Sequence, residues 1–327
     1  AGGQPTFVSL IEKSTATADV MLAFITSNGE LWSALWDGST WGVFIKHETT
    51  LPTGLTGGTE QCFAGAWERS SGDFLLAWGQ GTVTTVKYKT YTSTWAASAN
   101  GPDLDISDSV NPVINWLEAA GDPRVVSNLI ALASLDSQSH WTQWIWWGSS
   151  WSAVGEHLTN ADNNSSRVTS VAWLGDSGKA VFGYVPSSQK YFAYKVWDNG
   201  TWGGTNSNSS YGSTGILKWL KFVTEPTQRR IMAYSIDASY DLFTGYFNGS
   251  SCTNGSYRHQ NVVNNAAYES ASFVFDRHPD NAANGGNPSS VTDLVATPGT
   301  DVAGKTIDLK WTAPGDDGSF GQVSSYQ

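Results

Sequence analysis

The chain has 327 residues, of which 14% are charged and 13% aromatic, and its formal net charge is −11. The aromatic content argues against a disordered chain, and the scarcity of Lys and Arg argues against a nucleic-acid partner, because phosphate binding needs clustered cations. No run of 18 apolar residues is present, so we expect no membrane insertion, and the abundance of Gly and Trp favours short strands joined by tight turns.

One pattern recurs along the chain: an aromatic-rich strand, a short turn of Asn, Asp, Gly and Ser, and then a Trp. The copies occupy residues 31–42, 86–97, 141–152, 192–203 and 242–253. The closing position holds Trp41, Trp95, Trp151, Trp202 and Cys252, at spacings of 54, 56, 51 and 50 residues. A nearly constant spacing of this kind predicts stacked copies of one small unit.

Each unit contains further predicted strands. A second, apolar strand precedes each turn, at 20–26, 74–80, 129–135, 179–185 and 229–235. The first strand of each unit lies upstream of it, at 6–13, 62–69, 113–120, 168–175 and 216–223. A sixth copy of this first strand is predicted at 268–277, and a weaker fourth strand follows the Trp turn, as at 42–48 and 152–158.

Alternation within these strands has the period of a β-strand, as in Leu31, Ser33 and Leu35, which alternate with Trp or Ala. Four antiparallel strands per roughly 50 residues predict an all-β protein, a β-propeller of five to six four-stranded blades. A lone sheet cannot bury both faces, so the blades stack around an axis. A β-sandwich has short strands too, but no such self-similarity. The sixth copy either closes the ring or starts an incomplete blade.

The turns WDGSTW (36–41), WDNGTW (197–202) and WGSSW (147–151) resemble those of degenerate blades in secreted sialidase-like and lectin-like propellers. The sialidase Asp-box reads S-x-D-x-G-x-T-W, and residues 37–41 are one residue shorter than this pattern. In that family the box is a structural turn away from the active site. The resemblance therefore implies a fold and not catalysis, and the arginines of this chain do not match the sialidase set.

The C-terminal segment resembles the start of a fibronectin type III domain. Residues 289–299 are similar to its first strand and 305–318 to its second, with Trp311 at the position of the buried Trp. The repeat predicts a propeller at 1–280, and the composition of 281–290, rich in Gly, Asn and Ser, predicts a linker. The resemblance predicts the N-terminal part of a fibronectin type III β-sandwich at 291–327.

The repeated tryptophans are expected to pack between neighbouring blades, because large aromatic residues are mostly buried. Exposed aromatic residues would instead stack on sugar rings, and the candidates are Trp146 and Trp147. Adjacent strand residues point to opposite faces, so one of the two leaves the buried side unless the blade is covered on both faces.

Acidic residues lie at or just after each copy of the first strand, at Glu12, Glu68, Glu118, Asp176, Glu225 and Asp276. If these strands line the axis, the acids form a ring at one mouth of the channel that binds a cation or sugar hydroxyls. Arg69 and Arg277 lie beside this expected ring. The alternative is a set of solvated strand ends, since carboxylates are normally exposed.

Asp103, Asp105 and Asp108 form a loose pattern of oxygen ligands that suits calcium. The segment lacks the Gly and Glu of an EF-hand, so an ordinary Asp-rich turn is the other interpretation. No other cofactor is expected. Cys62 and Cys252 either pair in one long-range disulfide or remain thiols.

These observations predict a non-catalytic, extracellular or cell-surface propeller that recognises a glycan or another surface ligand, or assembles with copies of itself. A glycoside hydrolase or lyase on the same scaffold is one alternative, because folding and not sequence sets the separation of two catalytic carboxylates. A structural subunit of a surface filament or layer is another. The sequence contains no HExxH, no GxSxG and no Gly-rich phosphate loop.

Overall fold

A computed structural model describes residues 3–13, 18–49, 51, 61–80, 85–103, 113–152, 160–162, 167–208, 213, 215–225, 229–259, 295–298 and 307–310. The chain divides into two compact units, Ala1–Val274 and Phe275–Gln327. The described part of the first unit holds five antiparallel sheets and one short 3-10 turn, Gly175–Ser177.

The five sheets follow one another along the chain. Sheet 1 contains β1 (Pro5–Glu12), β2 (Val20–Thr26), β3 (Leu31–Trp36) and β4 (Ile45–Glu48). Sheet 2 contains β5 (Phe63–Trp67), β6 (Phe74–Trp78), β7 (Thr85–Tyr91) and β8 (Ala99–Asp103). Sheet 3 contains β9 (Ile114–Gly121), β10 (Ile130–Asp136) and β11 (Trp141–Trp146).

Sheet 4 contains β12 (Thr169–Trp173), β13 (Lys179–Tyr184), β14 (Ala193–Asp198), β15 (Thr201–Trp202) and β16 (Asn206–Ser207). Sheet 5 contains β17 (Leu217–Glu225), β18 (Arg230–Asp237), β19 (Leu242–Phe247) and β20 (Cys252–His259). These strands fall within or close to the predicted units. The fourth strand expected at 152–158 and the sixth copy at 268–277 lie almost wholly or wholly outside the described residues.

The first strands of consecutive sheets lie beside one another. β1 contacts β5, β5 contacts β9, β9 contacts β12 and β12 contacts β17. Each sheet therefore stacks against the next, which is how the blades of a propeller bury the two faces that a lone sheet would expose. The all-β, propeller-like part of the predicted fold is confirmed, while the total blade count stays a prediction.

Apolar side chains fill the space between the sheets. One buried cluster, which includes Met21, Phe63 and Trp144, joins sheets 1 to 3. A second cluster, which includes Trp173 and Phe247, runs from sheet 3 to sheet 5. Burial of each large apolar side chain contributes roughly 2 kcal/mol, so stability comes mainly from contacts between sheets.

The predicted Trp turn recurs with the same strand pairing, although the turn of sheet 2 is one residue shorter than the other four. The closing residue forms a β-bridge with the end of the preceding strand in the pairs Trp36–Trp41, Tyr91–Trp95, Trp146–Trp151, Trp197–Trp202 and Phe247–Cys252. Asp37 in sheet 1 and Asn248 in sheet 5 close their turns with a side-chain oxygen that accepts the backbone N–H groups two and three positions later. Short polar side chains that fold back in this way stabilise tight turns.

A second kind of turn, closed by a buried Asp, was not predicted from the sequence. The β10–β11 hairpin closes around Asp136 and the β18–β19 hairpin around Asp237, both of them buried. In each case one carboxylate oxygen accepts the backbone N–H groups two and four positions later, at distances of 2.8 to 3.1 Å. The residue before the last of these, Ser139 or Tyr240, has a positive φ of 67° or 65°. Desolvation raises the pKa of Asp136, although these hydrogen bonds oppose the shift.

In the second unit the structure describes two strands, β21 (Val295–Pro298) and β22 (Ile307–Lys310), which pair antiparallel. They fall inside the segments predicted as the first two strands of a fibronectin type III domain. Because two short paired strands occur in many folds, that domain, its linker and the boundaries at 280 and 290 stay predictions. Trp311 lies outside the described residues.

Candidate functional site

An open groove lies between sheets 1 and 2, with a cavity volume of about 410 Å³. One wall comes from β2, β3 and the segment leading into β4, and the other from the end of β7 and the turn after it. The described lining residues are Met21, Ala34, Leu35, Asp37, Gly42, Val43, Ile45, Tyr91, Ser93, Thr94 and Trp95. The volume lies in the range of small-ligand sites.

Two aromatic rings form the sheet 2 wall of the groove. The ring centroids of Tyr91 and Trp95 are 5.3 Å apart, with an interplanar angle of 53°. Trp95 is held by two further rings, since His47 lies 4.4 Å away in a T-shaped contact and Phe74 lies 6.2 Å away. Rings packed in this way keep their orientation, so Trp95 gives the groove a fixed aromatic surface.

Asp37 places a carboxylate at the rim of the groove. Its Oδ1 accepts the N–H groups of Thr40 and Ser39 and the Ser39 hydroxyl, each at 2.8 Å. These hydrogen bonds, led by that from the Thr40 backbone, lower the pKa of Asp37 to about 2. The group is therefore ionised in neutral and mildly acidic solution. Oδ2 receives a longer bond of 3.3 Å from the Thr40 hydroxyl, so it retains capacity to accept a ligand hydroxyl.

His47, on β4, lies in the interface that supports Trp95. Its Nε2 is 2.7 Å from the hydroxyl oxygen of Ser33. Burial lowers the pKa of His47 to about 3, and the nearby charge of Lys89 acts in the same direction. The ring is therefore neutral at neutral pH. When the bridged ends of β3 and β7 are aligned, Tyr88 of sheet 2 corresponds to Ser33, and the small serine leaves room for the imidazole.

Three of the five closing residues of the repeat contact the preceding sheet, whereas Trp202 packs on Phe182 of its own sheet. Trp95 contacts His47 of sheet 1, Trp151 contacts Tyr88 of sheet 2 with a centroid distance of 5.6 Å, and the Cys252 thiol is hydrogen-bonded to Tyr194 of sheet 4. Trp41 belongs to the first sheet and is 44% exposed. Of these repeated residues, Trp95 lines the groove.

The two predicted stacking residues lie in different environments. Trp146 is 2% exposed, packs against Tyr88 and Trp151, and donates its indole N–H to Glu68 at 2.6 Å. It presents no face to a ligand, so its assignment as an exposed stacking residue is wrong. Trp147, the next residue, is 46% exposed. Alternation of side chains explains the difference.

Two of the predicted axial acids are buried. Glu68 accepts hydrogen bonds from Ser71 and Trp146, each at 2.6 Å, and burial raises its pKa. Glu118, in the middle of β9, is paired with Arg167 and with Lys221. Its partners come from the segment before β12 and from β17, so this carboxylate links the first strands of three consecutive sheets. Both acids are engaged in holding sheets together.

The other predicted acids are more exposed. Asp176 pairs with Arg229 at 2.9 Å and Glu225 with Arg230 at 2.8 Å, while Glu12 ends β1 in an exposed position. Arg69 lies half-buried in the turn after β5. Asp276 and Arg277 lie outside the described residues. The acidic ring as a ligand-binding mouth therefore stays a prediction.

The calcium prediction falls almost wholly outside the described residues, because Asp103 ends β8 while Asp105 and Asp108 are not described. In the part of the chain that is described, no group of three or more His, Cys, Asp or Glu side chains is arranged to hold a metal ion. Cys62 and Cys252 are both free thiols. No helix among the described residues is long and apolar enough to cross a bilayer.

Sequence reasoning missed the groove, although part of its signal was visible. Trp95 is predicted as a repeated packing residue, but the opposite wall offers two small residues, Ala34 on β3 and Gly42 in the segment before β4. An aromatic closing residue facing small residues of the preceding unit is the pattern that could have indicated an open site.

Comparison with known proteins supports the fold. Neither protein-family profiles nor curated protein sequences give a match. Among solved structures, the BP39L lectin from Burkholderia pseudomallei is similar with a TM-score of 0.54 and 12% identity, covering 79% of this chain and 71% of that chain. AofleA from Arthrobotrys oligospora is similar with a TM-score of 0.51 and 13% identity, covering 77% and 71%.

A fungal lectin from Aleuria aurantia, described as a six-bladed β-propeller with a novel fucose recognition mode, has a TM-score of 0.49 and 10% identity, covering 79% of each chain. Identities of 12 and 13% show a shared fold alone. The chain therefore has an all-β, propeller-like fold shared with a solved lectin.

Proposed function

We propose that this protein is a non-catalytic carbohydrate-binding propeller and that the groove between sheets 1 and 2 holds a sugar residue. The observation that carries the proposal is the fixed pair of rings, Tyr91 and Trp95, in a cavity of about 410 Å³ with the ionised carboxylate of Asp37 at its rim. The fold shared with the BP39L lectin supports it by analogy.

The groove matches the two kinds of surface that a sugar presents. The C–H face of a pyranose is apolar and packs on an aromatic ring such as Trp95. Its hydroxyl groups donate hydrogen bonds, and the ionised Asp37 accepts them. Leu35 and Ile45 supply apolar contacts on the sheet 1 side. The described lining includes no cation, so a neutral saccharide is favoured over a carboxylated or sulfated one.

A glycan array followed by calorimetry on the best-bound saccharide tests the proposal. We expect Trp95→Phe to weaken binding several-fold and Trp95→Ala to weaken it about tenfold, since loss of one stacking contact costs about 1.4 kcal/mol. The matched control is Trp32→Ala, because Trp32 is an aromatic residue of β3 that is not among the lining residues and contacts Glu30 and Lys46 instead.

Two results would contradict the proposal. One is the absence of binding to any neutral saccharide on the array. The other is equal binding by wild type and Trp95→Ala with the unfolding temperature unchanged, which would place the sugar elsewhere.

A glycoside hydrolase is the weaker candidate. Hydrolysis normally uses two carboxyl groups about 5 to 9.5 Å apart. Among the described residues that line the groove, Asp37 is the one carboxyl group. Release of reducing sugar from an array-positive oligosaccharide, lost in Asp37→Asn, would favour the enzyme.

An extracellular or cell-surface location is part of the proposal, and assembly into a surface filament or layer stays a prediction. The exposed apolar residues Val8 and Leu10 on β1 are where such assembly would be tested. Sedimentation of wild type against a Val8→Ser, Leu10→Ser variant measures it. A concentration-dependent oligomer that the variant loses would support self-assembly.

A further inference from the structure

Trp147 presents an ordered aromatic face to solvent. It follows β11 and is 46% exposed. Its ring makes a T-shaped contact with Trp197 of sheet 4, with centroids 5.8 Å apart at 73°, and Trp197 is itself buried against Trp173. A ring packed against a neighbouring ring keeps its orientation, unlike a side chain that is free to rotate in water, and its exposed part is available to a ligand.

Arg124, in the loop between β9 and β10, is held beside the end of β14, the strand that contains Trp197. Its Nε and Nη2 donate to Oδ2 of the buried Asp122 at 2.8 and 2.5 Å, and its Nη1 donates to Oδ1 of Asn199 at 3.1 Å. The guanidinium lies over Gly178, where a Cβ atom would come within 2.5 Å of Nη1. The guanidinium can occupy this position because Gly178 has no side chain.

The described contacts use only some of the N–H donors of the Arg124 guanidinium. Arg carries five N–H groups, and three of them are used within the described residues. The side chain is 27% exposed, so the remaining two can reach an external oxygen. Because Asp122 neutralises the charge, the group offers oriented donors without a net positive charge, which suits a hydroxyl better than a phosphate or sulfate.

The ring and the guanidinium flank one short stretch of chain. Trp147 contacts Trp197, and Arg124 contacts Asn199 two residues later. Two residues span at most about 7 Å. Val126, on the same loop as Arg124, is 83% exposed and adds apolar surface.

We propose that Arg124, Val126 and Trp147, here called the Trp147 surface, form a second binding site, which takes a neutral sugar residue. The C–H face of the sugar stacks on Trp147, and a hydroxyl or ring oxygen accepts from Arg124. This site lies at the junction of sheets 3 and 4 and shares no residue with the groove of sheets 1 and 2. Two sites on one chain would raise the avidity for a multivalent glycan.

Fluorine NMR of protein labelled with 5-fluorotryptophan tests the proposal. The probes are the methyl glycosides of glucose, galactose, mannose, N-acetylglucosamine and fucose, with methyl glucuronide as the anionic comparison. The variants Trp147→Phe, Trp95→Phe and Trp41→Phe assign the three resonances. Trp41 is the matched control, because it is 44% exposed and packs against a Trp of its own sheet, Trp36.

We expect at least one neutral probe to shift the Trp147 resonance and leave Trp41 unmoved. Arg124→Lys keeps the positive charge but loses the planar guanidinium and its fixed N–H donors. It should raise the dissociation constant at this site about tenfold. If that variant does not fold, Val126→Ser replaces it, with an expected several-fold loss. The Trp95 resonance reports the groove separately, so failure of one site is distinguishable from failure of the other.

The proposal is overturned if no neutral probe moves the Trp147 resonance. It is also overturned if methyl glucuronide binds there more tightly than every neutral probe, or if the folded variant chosen binds with wild-type affinity.

Discussion

Replacement of His47 by Gln removes a buried titrating group from the interface that supports the groove. Gln keeps a polar atom where Nε2 meets the Ser33 hydroxyl, so the packing change is small. The charged groups near the ring are Lys89, which faces it from β7, and Glu48, next to it on β4, which accepts the Trp78 indole N–H at 3.4 Å. None of these is changed by the substitution.

The expected magnitude follows from the pKa of His47, which burial lowers from 6.5 in the unfolded chain to about 3 in the folded one. Between these values the unfolded state binds the proton and the folded state does not, so the free energy of unfolding falls as pH falls through this window. At pH 4 the loss relative to pH 7 is about 2.5 pKa units at 1.36 kcal/mol each, or about 3 kcal/mol.

Urea unfolding followed by tryptophan fluorescence measures this effect at pH 7, 6, 5 and 4. Other groups titrate equally in both proteins, so the wild-type value minus the His47→Gln value isolates the histidine. We expect this difference to fall by about 3 kcal/mol from pH 7 to pH 4. A difference that stays constant over the series would refute the buried, neutral His47.

Three further predictions concern a turn, an ion pair between sheets and the packing within one sheet. The carboxyl carbon of Asp37 should titrate in NMR with a pKa of about 2, and a pKa at the usual value for Asp would contradict this. Asp37→Ala should weaken saccharide binding in the groove, because the turn loses its closing hydrogen bonds. Glu118→Gln should lower the free energy of unfolding by about 3 kcal/mol, since it removes the carboxylate of a buried ion pair, and denaturation at the wild-type midpoint would contradict it. Gly65→Ala should destabilise by about 2 kcal/mol, because the new Cβ lies 2.3 Å from the Phe74 ring, whereas the control Gly204→Ala, with nothing within 4 Å, should be neutral in the same thermal scan.

The repeated sheets were predictable because their signal is local. Alternation within a strand and the turn before each closing Trp depend on residues a few positions apart, and Asp37 and Asn248 close those turns as short polar residues do. Stacking of the sheets then follows from the need to bury both faces of each one.

The site was not predictable, because its contacts are distant in sequence. Trp95 meets Leu35 and Asp37 only when two sheets stack. Glu68 was expected at an axial mouth, but its partner Trp146 is 78 residues away. The hairpin turns that close around the buried Asp136 and Asp237 did have a local signal. Each Asp accepts the backbone N–H of the polar residue two positions later. An Asp followed two positions later by a polar residue is, however, too common a pattern to single out.

A crystal structure with the saccharide selected on the array tests the carbohydrate site most directly. The account predicts a sugar ring stacked on Trp95 between sheets 1 and 2, with a hydroxyl donating to Asp37. A structure in which this groove holds only solvent, while the saccharide is bound elsewhere or not at all, would contradict it.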